Sequence, residues 1–379
     1  MARVLVRGAG IVGLAVAEEL QRGGHAVLVV DPAPGSGASH AAAGMLAPGS
    51  EVWWGEEGLL ALTLRSAALW PAYAARLGVP LHRAGTLLVG HDRGDLQDVE
   101  RQVGLLRSLG GAATLLARPA LRRAEPSLGR VAGGALLPED RAVDPRRVVA
   151  ALRSRVRVEP AATGWAHDVE VVATGARLPA PHGDLVRGVR GEVLRLHTDD
   201  PPRHVVRGWV AGEPVYVVPR PPEPRPPEPR PPEPGAPAPG VEVVVGATSE
   251  EHDGPPVVTA GGVARLLEAA RVLLPGLDRA ELVEATARDR PTTADHLPLV
   301  GPAPGGSGGS GGAVPVVLAA GHFRHGVLLA PLTARLVAEH LATGHVEPLL
   351  DPRRTDPRRT EPRRTETQEE RHAAPHRQR

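Results

Sequence analysis

The chain has 379 residues, a formal net charge of +1, no cysteine and 42% apolar residues. That length exceeds what one compact core usually holds, so two intertwined domains are expected. The near-neutral charge calls for no nucleic-acid or anionic-membrane partner, and the lack of cysteine excludes disulfides, thiolate metal sites and a cysteine nucleophile. Aromatic residues are only 2% and lysine is absent, so the interior must be built from Ala, Val and Leu. No run of about 18 apolar residues occurs, so no membrane span is expected. The apolar N-terminus is interrupted by Arg7 and three glycines and followed by Glu18-Glu19, unlike a signal peptide. The cytoplasm is therefore the expected location.

In chain order, residues 3–7 read as a buried strand, 11–22 as a helix and 26–30 as a second strand, a βαβ unit of about thirty residues. A small-residue loop follows from Gly35 to Gly44. Helices are expected over 57–77 and 95–109, with a strand at 87–89. The helix over 142–154 carries Asp144-Pro145, an N-cap with proline at the first helical position. Further strands are expected at 169–172, 192–197, 215–218, 241–246 and 314–319, and helices at 261–274 and 327–343. Residues 220–234 repeat Arg-Pro-Pro-Glu-Pro and read as an expanded polyproline hairpin loop. Residues 305–312 read as a Gly/Ser loop. The polar tail from Asp351 repeats Pro-Arg-Arg-Thr and is expected to be disordered.

Gly8-Ala9-Gly10-Ile11-Val12-Gly13 joins the first strand to the first helix with GxGxxG spacing. Gly8 permits the tight turn, Gly10 lets backbone approach a pyrophosphate, and Gly13 lets helix and strand pack closely. The first helical amides then face the phosphates, and Asp31 ends the second strand, where an acid can hold ribose hydroxyls. A glycine-rich turn that binds nothing is the competing explanation, and the motif alone does not separate FAD from NAD.

Ser39-His40-Ala41-Ala42-Ala43-Gly44-Met45-Leu46-Ala47-Pro48, together with Gly8–Leu20, resembles the D-amino-acid oxidase superfamily, above all its glycine oxidase branch, which serves thiamine thiazole synthesis. Residues 215–220 (Val-Tyr-Val-Val-Pro-Arg), 246–248, 290–301 (Arg-Pro-Thr-Thr-Ala-Asp-His-Leu-Pro-Leu-Val-Gly) and 320–331 (Ala-Gly-His-Phe-Arg-His-Gly-Val-Leu-Leu-Ala-Pro) agree in order. The resemblance implies an α/β fold: a Rossmann-like FAD-binding domain (1–75, 142–186 and 286–348) interleaved with an α+β substrate domain on a mostly antiparallel sheet (76–141 and 187–285). The proline-rich insert (220–240) and the tail (351–379) stand outside both. It further implies non-covalent FAD, no metal, and oxidation of glycine or another small amine by O2 to glyoxylate, ammonia and hydrogen peroxide. A homo-oligomer, a tetramer by family likeness, is also implied.

The cofactor-binding residues implied are Gly8, Gly10, Ile11, Val12 and Gly13, then Asp31, Pro32, Ala38 and Ser39, and the loop Ala43, Gly44 and Met45. His322, Phe323, Arg324, His325, Gly326, Val327 and Leu328 complete them, with a helix start aimed at the flavin edge that becomes anionic on reduction. Backbone contact, rather than imidazole chemistry, is expected at His322 and His325. Arg290, and secondarily Arg324, match the arginines that hold the substrate carboxylate, for which a planar guanidinium is suited; Tyr216 matches the hydroxyl that orients it. No catalytic side chain is expected beyond the flavin itself, since the cofactor supplies the difficult step. Ser249 stands where relatives can carry a larger apolar residue, which opens the pocket to sarcosine or a D-amino acid. A flavin-holding protein without turnover and an NAD-linked dehydrogenase are the alternatives of other classes.

Overall fold

The computed structural model describes residues 1–220, 240–251, 254–305 and 314–355. The proline-rich repeats and the Gly/Ser loop, apart from their flanks, and the tail beyond Thr355 lie outside the described residues.

The first sheet has six strands, in the order Leu299–Pro302, Val316–Ala320, Val169–Val172, Arg3–Arg7, Ala26–Val30 and Val158–Glu159. All neighbours are parallel except the edge strand Leu299–Pro302. Val4, Leu5 and Val6 are wholly buried, as a central parallel strand covered on both faces requires. Helices Ile11–Arg22 and Gly326–Thr343 pack together on one face and share a core with helix Glu57–Leu77. Trp70 on that third helix is fully buried; its Nε1 and the Oγ of Ser66 both donate to the carbonyl of Leu328, at 2.9 and 2.6 Å. A buried indole needs such a partner, and here the partner fixes the start of the last helix.

The second sheet has eight strands, in the order Glu281–Thr292, Arg187–Thr198, Val241–Gly246, Glu213–Pro219, Val205–Val210, Thr86–Gly90, Gly133–Leu137 and Thr114–Ala117. Its one parallel pair is Val205–Val210 with Thr86–Gly90; every other pairing is antiparallel. Helix Ala260–Leu273 covers one face. A small sheet of Met45–Leu46, Arg141–Val143 and Leu81–His82 lies between the two. This is the expected nucleotide-binding unit interleaved with a mostly antiparallel sheet.

Three expectations need correction. Residues 286–292 were assigned to the nucleotide-binding unit, but they finish the twelve-residue strand Glu281–Thr292, paired along its length with Arg187–Thr198. The tail is not irregular from Asp351: Pro352–Thr355 forms a 3-10 turn, Pro352 is buried, and Arg354 donates to Asp295 and to the carbonyl of Leu297. A proline and two ion-paired arginines dock where composition alone indicated a solvated chain. The loop 35–44 also contains one helical turn, Ala38–Ala41.

The Asp144-Pro145 signal has the structure it foretold. The helix runs Pro145–Arg153, and Asp144 Oδ1 accepts from the amide of Arg146 at 2.9 Å. Replacing that cap, Asp144→Ala, is expected to lower unfolding free energy by about 1 kcal/mol, read as a lower urea midpoint with an unchanged slope.

Candidate active site

A cavity of about 930 Å3 lies between the two large sheets, near the top of the roughly 300–1,000 Å3 range of small-molecule and cofactor sites. Four parallel strands of the first sheet deliver their carboxyl ends to it, at Gly8, Asp31, Ala173 and Ala320. Ligands of open parallel sheets bind at that edge. The opposite wall is a face of the antiparallel sheet, with Arg290, Gly191, Tyr216 and Arg207 on four of its strands.

At the first wall, Gly8 has φ +104, and a Cβ there would stand 2.3 Å from the carbonyl oxygen of Ala173. A Cβ at Gly13 would stand 2.0 Å from the carbonyl oxygen of Gly8, so Gly13 serves helix–strand contact from behind the wall and does not border the cavity. Gly10, Ile11 and Val12 do border it. The helix starts at Gly10 without a side-chain cap, and Ser39 Oγ takes the Ile11 amide at 3.0 Å. Asp31 accepts from the amides of Ala9 and Ala33, at 2.7 and 2.8 Å. Its carboxylate therefore shapes the glycine loop and still lines the cavity, with Pro32, Ala38 and Ser39 beside it. The sequence pointed to this acid for a ligand contact and gave no sign of the loop contact.

Ala43, Gly44 and Met45 line the next stretch. Gly44 has φ +81, and a Cβ would meet the Val143 carbonyl oxygen at 2.0 Å. Buried Arg220 donates to the carbonyls of Ala43 and Val143, at 2.6 and 2.9 Å, fastening this loop to the small sheet. Burial lowers the Arg220 pKa to about 10, which leaves it charged at neutral pH.

His322, Phe323, Arg324, Gly326 and Val327 border the cavity where the last helix begins; His325 and Leu328 lie behind them. His322 Nε2 is 2.9 Å from Thr333 Oγ1. Burial, with a smaller effect of His325, lowers His322 to about 3, and burial lowers His325 to about 4 although Glu51 opposes it. Both imidazoles are neutral at pH 7, so the field at this helix start comes from its amides.

At the far end, Arg290 Nη1 donates to the carbonyls of Thr248 and Arg190, at 3.1 and 3.3 Å, and among the described residues no carboxylate pairs with it. The hydroxyl of half-buried Tyr216 lies beside it: desolvation raises the phenol's pKa, and the neighbouring Arg290 opposes that rise. Arg324 is committed elsewhere, pairing with Glu56 and donating to the carbonyl of Glu51. Arg207 pairs with Glu51 at 2.7 Å. Burial would raise the Glu51 carboxyl, but Arg207, His325 and Arg324 together hold it below its ordinary value. Glu51, Glu56, Arg207, Trp53 and Trp209, all bordering the cavity, were not foreseen. The adjacent tryptophans at 53 and 54 in a chain with 2% aromatics were a usable signal; the Glu51–Arg207 pair, 156 residues apart, gave none.

A glycine-rich loop at strand ends and small residues along one wall suit a dinucleotide, and at the other end stands a cation that no carboxylate pairs among the described residues. The model of the FAD dependent oxidoreductase family, DAO, matches residues 3–340, and the chain belongs to that family. It resembles particular members over nearly its whole length. A Rhizobium etli protein named as a thiamine biosynthesis oxidoreductase, ThiO, is 34% identical over 363 residues, covering 91% of this chain and 98% of that one. Glycine oxidase of Geobacillus kaustophilus is 30% identical over 374 residues, covering 89% of this chain and 92% of its own. Its crystal structure matches with a TM-score of 0.74 over 89% of this chain and 94% of that one. The bifunctional ThiO/ThiG protein of Trichormus variabilis is 28% identical, and the match spans 54% of its length. The chain is thus an FAD-dependent oxidoreductase similar to glycine oxidase and ThiO. Among the described residues no helix is long and apolar enough to cross a membrane, and no group of side chains is arranged to hold a metal ion.

The buried histidines set a pH dependence. An unfolded histidine takes up a proton near pH 6.5, whereas His325 resists until about pH 4. Lowering the pH below about 6.5 therefore favours the unfolded state, at up to about 2 kcal/mol by pH 5. The unfolding free energy of His325→Gln should fall less between pH 7 and pH 5 than that of the parent, by chemical denaturation.

Proposed function

We propose that this oxidoreductase deaminates glycine, and other small amines, with FAD held non-covalently along the cavity and O2 as the final acceptor. The observation that carries the reading is Arg290: a guanidinium on the cavity wall that donates to backbone carbonyls, with no carboxylate partner among the described residues. A small amino acid brings the missing anion. Arg290 binds it with parallel hydrogen bonds, and Tyr216, kept un-ionised by burial, donates to it and fixes its orientation. Arg324 and Arg207 are paired with Glu56 and Glu51, and Arg288, which also borders the cavity and meets no carboxylate among the described residues, donates to the carbonyls of Ser36 and Ala287; Arg290, beside Tyr216, is the cation we assign to a monocarboxylate.

The wall residues support a place for the cofactor. The amides at Gly10, Ile11 and Val12 would hold the pyrophosphate, Asp31 the ribose, and the Ala43–Met45 loop and the start of the last helix the flavin ring. Bound there, FAD would supply the redox chemistry: the substrate's α-carbon would give up a hydride equivalent and its amine a proton, O2 would take the two electrons and two protons as hydrogen peroxide, and water would hydrolyse the imino acid to glyoxylate and ammonia. The side chains do the rest: they hold the carboxylate, so that the α-carbon is presented in one orientation. The absence of cysteine removes a cysteinyl attachment. A role in thiamine synthesis is supported by the name of the Rhizobium relative, and the two interleaved units are proposed to serve as cofactor and substrate domains.

A larger substrate is the second reading. Ser249 borders the cavity and is exposed, so it leaves room for the substituent of sarcosine or D-alanine; peroxide release with glycine, sarcosine and D-alanine compared at equal concentration ranks them. The decisive experiment is anaerobic addition of glycine to the purified yellow protein. Bleaching of the visible bands is expected; unchanged bands with all three amines would end the proposal. Arg290→Ala should remain yellow and raise the apparent KM for glycine by about 100-fold or more; wild-type KM in that variant would remove Arg290 from the site.

A further inference from the structure

Arg290 and Tyr216 owe their placement to two residues that contribute no atoms of their own beyond backbone. Gly191 stands on strand Arg187–Thr198, next to the strand that carries Arg290. A Cβ built on it would lie 2.4 Å from Cζ, Nη1 and Nη2 of Arg290 alike. Three equal distances mean that the guanidinium turns its face, not its edge, to the place a Gly191 side chain would fill. Gly246 ends strand Val241–Gly246, directly opposite Tyr216 in register. A Cβ there would lie 2.3 Å from the Tyr216 hydroxyl oxygen and 2.5 Å from Cζ.

These glycines differ in kind from those of the phosphate loop. At Gly8 and Gly44 an added carbon would strike backbone and φ is positive, so the fold itself would have to give. At Gly191 and Gly246 no positive φ occurs, and the three nearest atoms an added carbon would strike belong to the Arg290 guanidinium or the Tyr216 ring and hydroxyl. An alanine is therefore accommodated by moving the side chain. The backbone can stay, while the groups that face the cavity cannot.

We propose that Gly191 and Gly246 are positioning residues: a floor without side chains that holds the Arg290 guanidinium and the Tyr216 ring flat against the sheet, and thereby sets the pocket's fit to a small carboxylate. The inference rests on the carboxylate-binding role given to Arg290 above. With a methyl group at 191 the guanidinium is lifted off the floor, loses its bonds to Thr248 and Arg190, and intrudes on the space the substrate fills. Displacements of about an ångström in substrate-positioning groups cost up to about 100-fold.

The test is a double-mutant cycle on the FAD-loaded enzyme, with Gly191→Ala, Arg290→Ala and the pair, read by two measurements: KM for glycine, and the dissociation constant of acetate from its perturbation of the flavin spectrum. Gly191→Ala alone should raise both about 10- to 100-fold, with FAD retention and melting temperature within the range of the exposed-helix control Gly104→Ala. Added to Arg290→Ala it should change neither, because neighbours acting through one group are non-additive. Equal effects in both backgrounds, or loss of FAD in Gly191→Ala, would overturn the proposal. Should Gly191→Ala fail to fold, the cycle of Gly246→Ala with Tyr216→Ala decides by the same criteria. If the parent binds acetate tightly but does not oxidise glycine, the substrate assignment fails while the floor is still judged by the acetate constants.

Discussion

A guanidinium lying on bare backbone is the contact on which the rest of this site turns. The cation has to be immobile to present its edge to an anion, and it has to be unpaired to want one. The sheet provides immobility through carbonyls of Thr248 and Arg190 and, among the described residues, no carboxylate. Elsewhere in the same cavity the chain does the opposite: it surrounds Arg207 and Arg324 with acids. Partly buried charges are costly unless paired, so an arginine beside paired neighbours that meets no carboxylate among the described residues supports the proposal that a ligand supplies its partner.

The same economy of side chains shapes the other wall. Four strand ends converge there, and backbone must approach backbone closely. Gly8, Gly13 and Gly44 remove the atoms that would prevent it, while Asp31, Ser39 and Arg220 replace lost contacts with hydrogen bonds to backbone amides and carbonyls. Polar side chains here act first on the protein's own main chain, which pre-forms the loops before any ligand arrives.

Much of this was legible in the sequence because local rules and global fold agree. The βαβ unit, the Asp144 cap and the long helices each carry their own signal within a window of a few residues. The strand Glu281–Thr292 was not seen. Its run Glu-Ala-Thr-Ala-Arg-Asp-Arg-Pro-Thr is polar and has intermediate burial along much of its length, since the strand is the edge of its sheet and Arg288 and Arg290 border the cavity; hydrophobic alternation is weak where a site replaces a core. Strand Val205–Val210 was missed for the related reason that Arg207 and Trp209 face the cavity. Among site residues, those on recognisable strings were found. Glu51 and Arg207 were not, since a pair formed across 156 residues leaves no local pattern.

The scarcity of aromatic side chains gives the cavity an optical property. Trp53 and Trp209 border it, whereas Trp70 is buried in the helical core and Trp165 packs by the first sheet. The fifth, Trp54, packs edge-on against Trp53 with ring centroids 5.6 Å apart. An occupant that absorbs where indole emits will quench the two at the wall more strongly than Trp70 and Trp165, so a partial loss of intrinsic fluorescence gauges the occupancy of this chamber.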